Sequence, residues 1–508
     1  MTHKQLFQYQ TVGELAAVAT FAPADEADQG PVTGNVPLTP IQRWWFAQDL
    51  AVAHHYNQTM LLAGPPDFDE RLAEQAVAHL LVHHDALRLR FTPTPDGWQQ
   101  HIPATDEASA SYFAVVDLAD LPADEHSAAI TAHASERQDG LDIEHGPLVQ
   151  VVVFRLGANR NYRVLFIIHH LAVDAISWRV LLDDFALVYQ QLQRNAAPQL
   201  PAKTSSFKQW AEGLVAYAQS DPLAKEAPFW LAQEQSLPAL PVDHTAPATA
   251  NTEGAAQSVA VMLDETETRD LLQEVPKPYH TQINDALLAA LAFAFREWTG
   301  RSQLRIDVEG HGRESILDRV DLSRTVGWFT AIYPIILDIT GVNDAGSALP
   351  AIKEQLRQIP QHGVGYGLLR HLNSQSTLNT QATPSPAPEV TFNYLGQFAA
   401  DTSATGLFVS ARESVGPEIS PANRRAHLLE ILGSVTNGQL HFIFVYCPSF
   451  HDPATISTLA QHFTTALRAI IAHCKSPEAG GVTPSDFPMI NAHALGKYAA
   501  LLDEEDNA

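Results

Sequence analysis

Residues 162–168 (YRVLFII) form a nearly unbroken apolar run. A strand of this kind has no polar face to give to water, so it must be covered on both sides. The chain therefore needs a sheet packed between layers. The run ends in His169 and His170, and the sequence continues Leu-Ala-Val-Asp-Ala-Ile-Ser-Trp. Trp178, Leu181, Phe185, Val188 and Leu192 then fall on one helical stripe. Asp174 stands where a short carboxylate accepts from the free N–H groups of a first turn, so it is expected to cap that helix. Strand ends that face a crevice are common places for catalytic groups. Histidine titrates near neutrality, so one of this pair can move a proton at physiological pH.

The remaining pattern mixes strands and helices without a regular alternation. Helical spacing covers residues 70–82 and 283–298, and strands are expected at 304–308, 390–394 and 440–446. Two α+β lobes with mixed sheets fit this order better than a doubly wound fold. Three stretches read as connections: 21–35, the proline-rich 237–254, and the Ser/Thr/Gln/Pro-rich 374–388. The 508 residues carry 31 Lys and Arg against 57 Asp and Glu, for a net charge of −26. A surface this acidic disfavours nucleic acid and anionic membrane as partners. No apolar run reaches the length of a membrane span, and the first residues lack the pattern of a secretory signal. Two cysteines exclude a disulfide framework. The expectation is a soluble, cytoplasmic protein. There is no HExxH, and adjacent histidines do not easily face one ion, so no metal is expected. No phosphate loop or dinucleotide fingerprint is present.

Further motifs accompany the histidine pair. They are Pro40-Ile41-Gln42-Arg43-Trp44-Trp45-Phe46 with Asn57-Gln58 after it, and His84-Asp85-Ala86-Leu87-Arg88. Asp307-Val308-Glu309-Gly310-His311-Gly312-Arg313-Glu314 and Thr325-Val326-Gly327-Trp328-Phe329-Thr330 with Tyr333-Pro334 follow. Gly363-Val364-Gly365-Tyr366-Gly367 and Phe392-Asn393-Tyr394-Leu395-Gly396 complete the set. In this order they resemble the condensation superfamily of nonribosomal peptide synthetases, across residues 35–490. The Ser177-Trp178 ending, the EGHGRE stretch and FNYLG resemble its epimerization branch in particular. Leu6-Phe7-Gln8-Tyr9-Gln10-Thr11-Val12 is similar to the closing helix of a carrier protein, and Pro484-Ser485-Asp486-Phe487-Pro488 to the segment that closes these domains.

The resemblance implies two chloramphenicol-acetyltransferase-like lobes in a V-shaped pseudodimer, with the active site in a tunnel between them. It divides the chain into a carrier remnant (1–20), a linker (21–35), an N-terminal lobe (36–236), a C-terminal lobe (237–490) and a tail (491–508). It implies L-to-D epimerization at the α-carbon of an aminoacyl or peptidyl thioester on a carrier's phosphopantetheine arm. No prosthetic group would be bound covalently here, because the carrier supplies that arm. His170 and Glu309 are the implied acid/base groups, with His169, Asp174, Asn393 and Tyr394 in support. Partners would be an upstream peptidyl carrier protein and a downstream condensation domain, with Arg424-Arg425 a candidate basic patch for carrier docking. Two alternatives share the HHxxxD core: a condensation domain that forms a peptide bond, and an inactive relative that recruits a partner. The epimerization-type motifs weigh against the first. Retention of His170 and Glu309 weighs against the second.

Overall fold

A computed structural model describes residues 27–65, 67–104, 112–157, 162–380, 388–398 and 408–487. The expected carrier remnant and tail lie outside the described residues. The strands in chain order are β1 (Gly34–Val36), β2 (Asn57–Ala63), β3 (Arg90–Thr94), β4 (Gly97–Ile102), β5 (Phe113–Asp117), β6 (Val149–Arg155) and β7 (Arg163–His169). They continue with β8 (Gln257–Met262), β9 (Gln303–Gly310), β10 (Ala331–Asp338), β11 (Val390–Phe398), β12 (Val409–Ser410), β13 (Leu429–Thr436) and β14 (Gln439–Tyr446). They build a five-stranded sheet in the order β12-β2-β7-β6-β5, a six-stranded sheet in the order β10-β9-β11-β13-β14-β8, and a small sheet β1-β4-β3. Both large sheets are mixed: β5–β6, β9–β11 and β11–β13 are parallel, and the other pairs are antiparallel. Helices pack on each sheet, giving the α+β class read from the sequence.

Strand β7 shows why its sequence is continuous. Val164, Phe166 and Ile168 belong to the main core. Leu165 and Ile167 point the other way, into a second cluster with Ile130 and Ala134 of the helix His126–Gln138. Burial of such a side chain contributes about 1.5–3 kcal/mol relative to exposure. The second large sheet instead alternates: β13 buries every other residue, beginning with Leu429 and Ile431. Its buried face packs on the helices Ile283–Thr299 and Pro453–Cys474. Its other face carries Arg305, Asp307 and Glu309 of β9.

Expected elements reappear with small changes in length, as the helix Glu70–His83 illustrates. All three connections hold more structure than their composition suggested, with a 3-10 turn at Ala248–Ala250 in the proline-rich one. The 374–388 stretch contains a one-turn helix, Thr377–Thr380, and β1 begins inside the expected linker. The chain also exchanges material between sheets. Strand β12 pairs with the edge of β2, Val409 opposite Ala63. The crossing segment continues with hydrogen bonds from the Asn57 N–H to the Glu418 carbonyl, and from the Ser420 N–H to the His55 carbonyl.

Candidate active site at the crevice between the two sheets

Strand β7 ends at His169, a single 3-10 turn spans His170–Ala172, and the helix Ala175–Gln193 begins after Asp174. His169 points inward and is fully buried. Its Nδ1 accepts from the Leu171 N–H at 3.2 Å, which leaves Nε2–H to donate to the Ala53 carbonyl at 2.9 Å. Burial holds it down at about 3, so it is neutral. His170 faces the crevice and is partly exposed. Its ring packs against Trp328 at 4.3 Å and Tyr56 at 5.8 Å between centroids. Burial lowers its pKa, opposed by a hydrogen bond to the Val173 carbonyl and the charge of Asp174.

Asp174 does what its place in the sequence suggested, and more. Its Oδ1 accepts from the Ser177 N–H at 2.8 Å and caps the helix. The same carboxylate takes Arg313 Nη2 at 3.0 and 3.2 Å, and its Oδ2 accepts from the Phe329 N–H. Arg313 also donates to Ser177 Oγ and to the carbonyls of Leu322 and Thr325, with its guanidinium 3.9 Å from the Phe329 ring centroid. A residue of the EGHGRE stretch thus ties the histidine loop to the second sheet. Gly312 permits this approach. Its φ is +68°, and a Cβ there would stand 1.7 Å from the Phe329 carbonyl oxygen.

Glu309 lies at the end of β9, paired in register with Ile332. Asn393 Nδ2 donates to its Oε2 at 2.7 Å. Burial raises the Glu309 carboxyl to about 7; His427 opposes the rise, and the charges of Glu430 and Asp307 add to it. His427 is bonded to Asp307 at 2.8 Å and is pushed up by that pairing against the cost of its burial. Tyr394 follows Asn393 and leaves the strand by the opposite face, its ring against the core and its phenol raised by burial. The expected supporting pair is therefore split between two faces.

Tyr56 and Gln58 were not singled out from the sequence, although the second stands in a quoted motif. Tyr56 stacks on His170, and its phenol is raised by burial and then by the charges of Glu309, Glu430 and Glu253. Gln58 sits 3.0 Å from His170 Nε2. A cavity of about 270 Å³ extends along the sheet face that carries Glu309, lined by Trp44, Trp328, Ile332, Pro334, Val364 and Tyr366. Neither His170 nor Glu309 lines it, but Trp328, which packs on His170, and Ile332, the register partner of Glu309, both do. The donor atoms of His83, His84 and Asp184 lie within 4.8 Å of one another. Asp184 is already bonded to His84 at 2.9 Å and ion-paired with Arg324, which would repel a metal cation. The expected Arg424-Arg425 patch loses a member, because the Arg425 side chain is buried against Glu430 and the Val445 carbonyl.

Two mixed sheets with helices, joined across a crevice that bears an HHxxxD loop, define a condensation-domain fold. Residues 32–489 match the condensation-domain family model, and the chain belongs to that family. It is 45% identical over 507 residues to a linear gramicidin synthase of Brevibacillus parabrevis, and 37% identical over 504 residues to surfactin synthase subunit 1 of Bacillus subtilis (strain 168). These alignments cover 98% and 99% of this chain but only 6% and 14% of those proteins. The crystal structure of the epimerization domain from the third module of tyrocidine synthetase B is similar, with a TM-score of 0.81 and 36% identity. That match covers 88% of this chain and 98% of the other. A starter condensation domain of rhizomide synthetase, at 19% identity and a TM-score of 0.67 over 87% and 96% of the two chains, shares the fold. Among the described residues no helix is long and apolar enough to cross a membrane.

Proposed function

We propose that this chain interconverts L and D configurations at the α-carbon of an aminoacyl or peptidyl thioester held on a carrier protein's phosphopantetheine arm. The observation that carries this reading is a pair of differently tuned proton carriers on separate sheets. Burial lowers the His170 pKa, and it raises Glu309 to about 7. Likeness to an epimerization domain supports it. Inversion needs one proton removed from one face of the α-carbon and another delivered to the opposite face. A carboxyl that titrates near neutrality can serve in either protonation state, and a neutral imidazole can accept. As the Cα–H bond breaks, its electron pair moves into the thioester to give an enolate; the second group then protonates that carbon and the carbonyl re-forms. No redox change occurs, and the same two groups serve both directions. The thiol arm belongs to the substrate's carrier, and the downstream consumer of the D-product would be a condensation domain.

The test uses a carrier loaded with an L-aminoacyl thioester in deuterated water. Deuterium enters Cα, and an L/D mixture forms from either enantiomer. His170→Ala and Glu309→Gln each slow exchange by about a hundredfold or more. Wild-type exchange in both variants, or a dipeptide product when a second loaded carrier is supplied, would sink this reading.

A further inference from the structure

Gln58 lies on β2, opposite Ile168 of the histidine strand. Its neighbour Asn57 turns away to donate to the Gln138 carbonyl at 3.1 Å. Gln58 turns toward the crevice, between two rings. Trp178 Nε1–H donates to Gln58 Oε1 at 2.7 Å, and Gln58 Nε2 stands 3.0 Å from His170 Nε2. An indole N–H only donates, so the amide oxygen must face Trp178. The amide NH2 then faces His170, and it too only donates. His170 Nε2 must therefore be an unprotonated acceptor. The imidazole proton sits on Nδ1, which lies 2.8 Å from the Val173 carbonyl. One indole thus fixes the direction of every hydrogen bond in the chain Trp178–Gln58–His170–Val173.

We propose that Gln58, oriented by Trp178, is a positioning residue that holds His170 as the neutral Nδ1–H tautomer and opposes its protonation. For Nε2 to keep a proton, the amide would have to turn its oxygen toward the ring. That turn sets an NH2 group against the Trp178 N–H, donor against donor. His170 therefore rests as a neutral base whose Nε2 lone pair accepts from the Gln58 amide; that contact opens when Nε2 takes a proton, and the captured proton is given up readily. On the epimerization reading above, this makes His170 the acceptor of the Cα proton from one enantiomer and, once protonated, the donor in the reverse direction. The titratable and charged groups around the ring leave this logic intact. Asp174 is ion-paired with Arg313, Tyr56 is a partly buried phenol stacked on the ring, and His169 is neutral with both nitrogens bonded. Glu309 acts from the second sheet. Among the described residues, the ring nitrogens of His170 are hydrogen-bonded to Gln58 and Val173.

The decisive measurement is a pH titration of the ligand-free protein with 15N-labelled histidine, His170 being assigned by its loss in His170→Gln. In the wild type, Nδ1 carries the proton and Nε2 none at pH 7. Gln58→Glu supplies an acceptor to Nε2–H and raises the His170 midpoint by about one unit or more. Trp178→Phe frees the amide to turn and raises it by a smaller step. An Nε2–H tautomer in the wild type, or one midpoint shared by all three proteins, overturns the proposal. The kinetic counterpart is the acid limb of the Cα exchange profile, which moves upward in Gln58→Glu. If the wild type exchanges no Cα proton at all, the reaction is misassigned, and the nitrogen shifts still decide the tautomer. If Gln58→Glu does not fold, the wild-type tautomer and Trp178→Phe decide alone.

Discussion

At the scale of single residues, His170 and Glu309 differ in what their folded environment does to protons. Glu309 is raised from an ordinary carboxyl value to about 7. Between about 4.5 and 7 the folded chain therefore holds a proton there that the unfolded chain has released. Stability falls as pH rises through that window, and the full penalty is present above it. Glu309→Gln removes the titration. The variant should gain stability relative to the wild type between pH 5 and pH 8, read as a rising difference between their urea midpoints. A constant difference would mean that Glu309 is no harder to ionise than an exposed carboxyl. The places of His170 after β7 and of Glu309 at the end of β9 were legible in the sequence, because each lies in a contiguous motif. Tyr56 and Gln58 were not, because their meaning depends on a ring 112 residues away in the case of Gln58. Tyr394 differs: the motif set it beside Asn393, and strand alternation turns the two side chains to opposite faces.

At the scale of elements, the loop after β7 is set from two directions. Asp174 caps its own helix and receives Arg313 from the end of β9, with both side chains 7% exposed. Removal of one partner from a buried pair costs about 3–5 kcal/mol when the other charge is stranded. Asp174 keeps the Ser177 and Phe329 N–H groups, so Arg313→Ala should fall at the low end, about 3 kcal/mol by urea denaturation. An effect below about 1 kcal/mol would show that the guanidinium carries no structural duty. Local chemistry made the cap legible, because Asp at a helix start has one obvious use. The bond to Arg313 was illegible for want of any local signal, as it spans 139 positions. The crossing segment 408–423 was equally opaque: strand β12 is only two residues long.

At the scale of the whole molecule, the two large sheets share one core. The main hydrophobic cluster runs without a break from Val36 of β1 to Cys474 at the end of the last long helix. Phe408, 2% exposed, leads the crossing segment into the first sheet and packs against Phe68 and Phe185. The chain should therefore unfold in a single calorimetric transition. Phe408→Ala should move that whole transition to lower temperature, by about 3–5 kcal/mol in stability. Two resolved transitions, or a shift confined to one of them, would show that the halves melt independently. The continuous apolar run of β7 foretold a sheet covered on both sides, and so it is. Which distant segment would close the edge of β2 could not be read from that run.

The exchange of segment 408–423 has a consequence for anyone who recombines such chains. A cut between the sheets at residue 236 or 237 looks natural on paper. It would strip β2 of its outer neighbour and leave an open row of amides as a template for aggregation. It would also remove Glu418 and Asn423, which bond Thr59 and Val52 of the first half. A chimera that trades second halves therefore also trades part of the first sheet's edge. Compatible parents are those whose residues at Thr59, Val52 and Ala63 suit the incoming strand, whatever their substrates.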